Sequence, residues 1–208
     1  MKTMDKLKNK VTNKKKMLTF LLGILLIGIL AGSLFIVMLN SSDKTMIKDY
    51  LEQFTNSVQS HKLNYGQALM SSLGTNLFFV IMIWLLGISV IGLPIMIFFY
   101  FSKAFILGFS VSSIIYQYKL KGCLLAFFYV FPHHIGNILI YTFLMLYSTR
   151  LSLHISKMLL AKKTLDFKRI MTRYSMVLLI SVIGVSVTSL FEVFVMPTCI
   201  EFILPIIK

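Results

Sequence analysis

Four blocks of the chain are almost wholly apolar, and each ends at a cluster of polar or charged residues. They are Met17–Leu39, Asn76–Tyr116, Cys123–Ser148 and Tyr174–Met196. An α-helix rises 1.5 Å per residue, so about 20 apolar residues cross the hydrocarbon of a bilayer. The first, third and fourth blocks each predict one span. The 41 residues of the second are too many for one span and predict two, with the break at Gly92-Leu93-Pro94. The pattern therefore predicts spans at about 17–39, 77–91, 94–116, 123–148 and 174–196. Tyr118, Lys119 and Lys121 mark a short turn between the third and fourth.

Residues 40–75 read differently. Ser41-Ser42-Asp43 is a helix start, and Ile47, Tyr50, Leu51, Phe54 and Val58 then recur at helical spacing between charged residues. This predicts an amphipathic helix outside the bilayer. Two readings stay open: the helix rests on the bundle or the lipid interface, or the stripe Ile47, Tyr50, Leu51, Phe54 docks an extracytoplasmic partner. A short helix over 65–73 is expected to lead into the second span.

Composition agrees with the pattern. The chain has 208 residues, 57% hydrophobic and 13% charged, about half the charged share of a soluble domain. The predicted fold is all-α, a polytopic integral membrane helix bundle of residues 17–208 preceded by a basic arm, 1–16. The first apolar run is too long for a signal peptide and is read as an uncleaved span, with no soluble domain on either side. The net charge of +14 raises nucleic acid as a partner, but its distribution argues otherwise. Of 21 Lys and Arg, seven lie in residues 1–16 and seven in 150–173, flanking spans. Both blocks suit the cytoplasmic face against anionic lipid. An even number of spans must then separate them, which requires the split second block. Five spans place the N-terminus inside, the C-terminus outside, the 40–75 loop outside and the 149–173 loop in the cytoplasm. Leu151, Ile155, Met158 and Leu159 suggest an interfacial helix within that basic loop. Pro197 is expected to end the last span. Cys123 and Cys199 both fall near the outer face, where a disulfide and plain apolar packing are both open.

The candidate chemistry lies within the apolar blocks. Tyr129, His133, Asn137 and Tyr141 follow one another at i+4 and share one helix face, which should look at other helices. Lys103 lies nine residues into the third span, about 13 Å deep, and His133 about 15 Å deep from the opposite end. A charge at mid-bilayer costs roughly 2.5–3.5 kcal/mol. Lys103, His133, His134 and Asn137 thus form a candidate intramembrane polar cluster. The alternative puts Lys103 in a cytoplasmic turn at Ser102-Lys103, reaching into headgroups. Glu192, the one acidic residue within a span, is expected to reach headgroup water. No GxSxG motif or zinc spacing occurs, and His61 and His154 fall on opposite sides, so neither metal, cofactor nor catalytic residue is assigned.

Asn76 at the head of the second span, Leu93-Pro94 at the hairpin, Lys103-Ala104-Phe105-x-x-Gly108-Phe109 and Phe131-Pro132-His133 stand within an arrangement of basic arm, first span, outer loop 40–75 and four further spans. On these motifs and this arrangement the chain resembles the stage II sporulation protein M family of endospore-forming bacteria. The broader superfamily often has Pro-His-Gly followed by Glu; here His134 and Asn137 stand at the Gly and Glu positions. The resemblance implies a non-enzymatic membrane scaffold of engulfment, at the sporulation septum and engulfing membrane. It would help to place stage II sporulation proteins D and P, which degrade septal peptidoglycan as a lytic transglycosylase and an amidase. The competing reading is a small transporter or channel using Lys103, His133 and Asn137.

The charge pattern makes one prediction directly. Reporters placed near residues 10 and 160 are expected in the same compartment; opposite compartments would require a different number of spans.

Overall fold

The structure is a computed structural model that describes residues 2–60, 64–161 and 167–207, with side chains described for 15–60, 64–158, 160 and 168–201. It is all-helical, with no strand among the described residues. The helices are α1 (Lys2–Met38), α2 (Ser41–Gln59), α3 (Tyr65–Gly87), α4 (Gly92–Leu125), α5 (Phe131–Ala161), α6 (Phe167–Leu190) and α7 (Met196–Ile207). One π-helical turn, Ala126–Val130, joins α4 to α5, and another, Phe191–Val195, joins α6 to α7. Among the described residues, four stretches are long and apolar enough to cross a membrane: Lys15–Met38, Tyr65–Gly87, Gly92–Met158 and Lys168–Glu201.

The third of these, 67 residues, reverses direction within itself. Lys119 has φ 51°, the only positive φ at a non-glycine residue among those described. A straight helix would separate Gly122 from Ile114 by about 12 Å. Instead a Cβ at Gly122 would lie 2.5 Å from the Ile114 carbonyl oxygen, so the chain has folded back on itself. The expected turn near Lys119 is thus a single-residue reversal tight enough to require glycine three positions on.

Several boundaries differ from expectation. The separate helix at 65–73 and the span at 77–91 are one helix, α3, capped by Asn64, whose Oδ1 accepts from the Gln67 N–H at 3.1 Å. Its polar stretch, Ser71 to Asn76, breaks nothing, because a helix satisfies its own backbone whatever the side chains do. The chain then turns over residues 88–91, and Gly92-Leu93-Pro94 opens α4 rather than forming the turn. Proline belongs in a first helical turn, where its missing N–H leaves no bond unmade. Gly92 also packs against the Leu86 backbone, where a side chain would collide.

Pro197 does not end the helical course. Each π-turn is followed by one residue and then a proline, Phe131-Pro132 and Met196-Pro197. A proline ring clashes with the carbonyl four residues back, and a wider turn relieves that clash. The 149–173 loop is likewise mostly helix. α5 continues through Leu151, Ile155 and Met158 as one rod, leaving no separate interfacial helix. The Leu159 side chain and residues 162–166 lie outside the described residues. Cys123 and Cys199 are free thiols.

Two seams hold the bundle. α1 and α4 run parallel. Gly28 packs against Phe101 and Ala104, Gly32 against Phe105 and Phe109, and Gly108 against Ile29. The Ser33 hydroxyl reaches the Gly108 carbonyl at 3.3 Å. Small residues let two backbones approach in lipid, where dispersion replaces the hydrophobic drive. The second seam joins α3, α5 and α6 around buried Val80, Ile83, Tyr141, Leu144 and Met145. At one end of this seam Tyr174 stacks on Trp84 at 5.5 Å and bonds the Trp84 carbonyl at 2.8 Å. There Ser152 also bonds the Ser89 carbonyl at 2.8 Å. Leu21 of α1 joins the same core as Met96, near the start of α4. The beginning of α1, the α3–α4 turn, the end of α5 and the beginning of α6 therefore share one end of the bundle. Both lysine- and arginine-rich blocks border that end.

α2 closes the opposite end, and the reading of its whole apolar stripe as a docking surface is corrected. Val58 is fully buried, and Leu51 and Phe54 pack against the core formed with Leu107, Val130 and Ile200. Phe54 also meets Tyr129 with ring centroids 5.5 Å apart. A stripe at helical spacing found its partner within the chain. Ile47 is half-buried, while Tyr50 and Met46 are exposed.

Replacing Gly32 with Val is expected to destabilise the fold by about 1–3 kcal/mol through overpacking of the α1–α4 seam. Gly23→Val is expected to be nearly neutral, since a Cβ there meets nothing within 4 Å. Thermal unfolding of the two purified variants in detergent checks the difference.

Candidate functional site

Lys103 lies in the middle of α4, eleven residues past Gly92, which rules out the turn at Ser102-Lys103. Its ammonium sits 4.0 Å from the centroid of Phe79 and 5.5 Å from that of Tyr141. Cation–π attraction strengthens when the cation leaves water, so these rings make the buried position tolerable. Lys103 makes no hydrogen bond or ion pair with any other described residue.

The i+4 stripe of α5 faces other helices, as expected. The His133 Nδ1 lies 3.0 Å from the Tyr129 carbonyl oxygen, which only accepts, so Nδ1 carries a proton. This leaves Nε2 pointing away from its own helix, 3.8 Å from Glu192 Oε1. Thr188 donates to Asn137 Oδ1 at 2.5 Å, and Tyr141 donates to Asn76 Oδ1 at 2.7 Å. The His133 and His134 rings are 4.2 Å apart, centroid to centroid. Lys103, His133, His134 and Asn137 thus line one cavity of ≈ 430 Å³.

Glu192 corrects the expectation that it reaches headgroup water. It belongs to the Phe191–Val195 turn and faces the cavity, where Ser72 donates to its Oε2 at 2.7 Å. Ser72 Oγ also lies 3.0 Å from Ser189 Oγ, which accepts from the Asn76 amide at 3.0 Å. A continuous polar network therefore links α3, α5 and α6. In sequence Glu192 stands near the end of an apolar block, a position that points to headgroup water. The signal that it does not is local: Ser189 precedes it by three residues, and Ser72 and Asn76 are spaced i+4 on another helix. Two polar ridges of this kind are built to meet.

With Nδ1 protonated, a neutral His133 presents a lone pair to Glu192. Its Nε2 lies 3.8 Å from Glu192 Oε1, beyond hydrogen-bond distance, so the two rest side by side in the cavity wall without a direct bond. The Lys103 amine and the Glu192 carboxyl group thus stand on the walls of one cavity. Among the described residues no three His, Cys, Asp or Glu side chains converge to hold a metal ion. The cavity extends to α2 and α3, where Tyr50, Phe54 and Tyr65 form its aromatic mouth.

The family model described as Stage II sporulation protein M matches residues 17–197, a range that includes both seams and every residue of the polar cluster. Comparisons with curated proteins and with solved structures return no match.

Asn76→Ala removes the acceptor of the Tyr141 hydroxyl and a donor to Ser189, and is expected to cost about 1–3 kcal/mol. Combined with Tyr141→Phe, it is expected to cost less than the sum of the single changes, because both break one hydrogen bond. A thermal-unfolding double-mutant cycle measures the coupling; strict additivity would show the bond contributes nothing.

Proposed function

Because this chain belongs to the stage II sporulation protein M family, we propose that it is a non-enzymatic scaffold of engulfment that positions septal peptidoglycan-degrading partners at the asymmetric septum. The partners expected are stage II sporulation proteins D and P. The family match over residues 17–197 carries this reading. The protein is thereby a sporulation-related membrane protein, and the finer role rests on three features. Both basic blocks border one end of the bundle, which positive-inside orientation assigns to the cytoplasm. α2 then lies outside, where wall-degrading enzymes work, and presents exposed Met46 and Tyr50 beside its acidic residues. The Ser72 hydroxyl, which donates to Glu192 at 2.7 Å and lies 3.0 Å from Ser189 Oγ, belongs to a hydrogen-bond network that joins α3 to α6 and holds the bundle beneath α2 together.

At the cytoplasmic end a groove of ≈ 400 Å³ is lined by Tyr147, Arg150, His154, Arg173 and Tyr174. Two arginines beside aromatic rings at the membrane surface suit an anionic lipid headgroup. Such a contact would help hold a scaffold upright.

A second reading, a small transporter or channel, is favoured by one observation: the cavity joins the α2 end to Lys103, deep in α4. The two readings separate in cells. Met46→Ser with Tyr50→Ser is expected to reduce septal foci of labelled partner enzymes, while Lys103→Met leaves them in place. Intact foci in the first variant together with their loss in the second would overturn the scaffold reading in favour of the conduit.

A further inference from the structure

We propose that the cavity between α3, α4, α5 and the Phe191–Val195 turn is a binding site for a small zwitterion, an α-amino acid or short peptide, whose carboxylate meets Lys103 and whose ammonium meets Glu192. A scaffold has no need of such a site, so the inference goes beyond the proposed function.

The argument begins with charge placement. Lys103 and Glu192 line the same cavity but form no ion pair with each other. Had the two charges served stability alone, a direct pair would neutralise both, or apolar residues would replace them. Instead each is held by groups that leave its binding capacity open. Lys103 rests on the faces of Phe79 and Tyr141, which satisfy its charge and leave its three N–H donors unused. Glu192 is oriented by Ser72 through Oε2, while Oε1 lies 3.8 Å from His133 Nε2, beyond a hydrogen bond, and makes no hydrogen bond with another described residue.

Ligand class follows from those two charges. A simple anion at Lys103 would be repelled by Glu192, and a simple cation at Glu192 would be repelled by Lys103. A molecule carrying both charges satisfies both walls at once. Water would fill the space, but it cannot neutralise either group. The Asn137 amide nitrogen makes no hydrogen bond with another described residue. It lines the cavity and supplies a further donor for the ligand carboxylate. The volume, ≈ 430 Å³, falls in the range of small-molecule sites. Tyr50 and Tyr65 at the mouth offer amphipathic rings where the cavity meets the α2 end.

The test is equilibrium binding to the purified full-length chain in lipid nanodiscs. The probes are alanine and dialanine, with propionate and ethylamine as single-charge controls. Alanine or dialanine is expected to bind, and neither control at the same concentration. Lys103→Met and Glu192→Gln are each expected to weaken binding at least about tenfold, the loss of one charge-assisted contact. Propionate or ethylamine binding as well as the zwitterions would overturn the proposal, as would undiminished binding in both variants. So would failure of all four probes at about 10 mM, where a millimolar site is nearly saturated. The comparison of probes on the unmodified chain needs no variant to fold. Septal recruitment of partners is not involved, so failure here and failure of the scaffold reading are separate outcomes.

Discussion

Hydrocarbon offers a polar side chain no hydrogen-bond partner, and nearly every feature of this bundle follows from that constraint. Lys103, Asn76, His133, Asn137 and Glu192 lie on four different segments of the chain, yet all face one interior space. Each finds an aromatic face, a hydroxyl, an amide or another ionisable group. The lipid-facing positions, by contrast, are large and apolar, as at Leu26, Leu30 and Leu34 of α1. The helices are rotated by what their polar residues require, and the apolar residues take the remaining directions.

Two prolines govern where those polar groups end up. Pro132 and Pro197 each follow a π-turn, and the two turns lie beside the cavity. A π-turn adds a residue to a helical turn and rotates everything beyond it relative to what came before. The first turn precedes His133 and the second contains Glu192, so the placement of these two side chains 3.8 Å apart is set by two local irregularities on adjacent helices. Regular helices through both segments would have aimed these side chains elsewhere.

The two ends of the bundle differ in kind. At one end Tyr174, Trp84, Ser148 and Ser152 lock α3, α5 and α6 through short hydrogen bonds. At the other, α2 lies over the cavity, with Val58 buried and Leu51 and Phe54 packed against the core.

The apolar blocks by themselves determined that this is a helical membrane protein, roughly where its helices run, and that the α5 stripe is costly enough to need an interior location; for Lys103 they left the bundle interior and a cytoplasmic turn both open. The Gly28-x-x-x-Gly32 pair is likewise a sequence pattern for close helix approach, without saying to which helix. These are legible because hydrophobicity and helical periodicity act over neighbouring residues. Which helices meet was not legible, and that decided the rest. The parallel α1–α4 seam, the burial of Leu51 and Phe54, and the capture of Glu192 by Ser72 all join residues far apart in the chain. A carboxylate near the end of an apolar run looks the same in sequence whether water or a serine awaits it. Only the packing of α3 against α6 selects the serine, because only there does a hydroxyl lie within 2.7 Å of it.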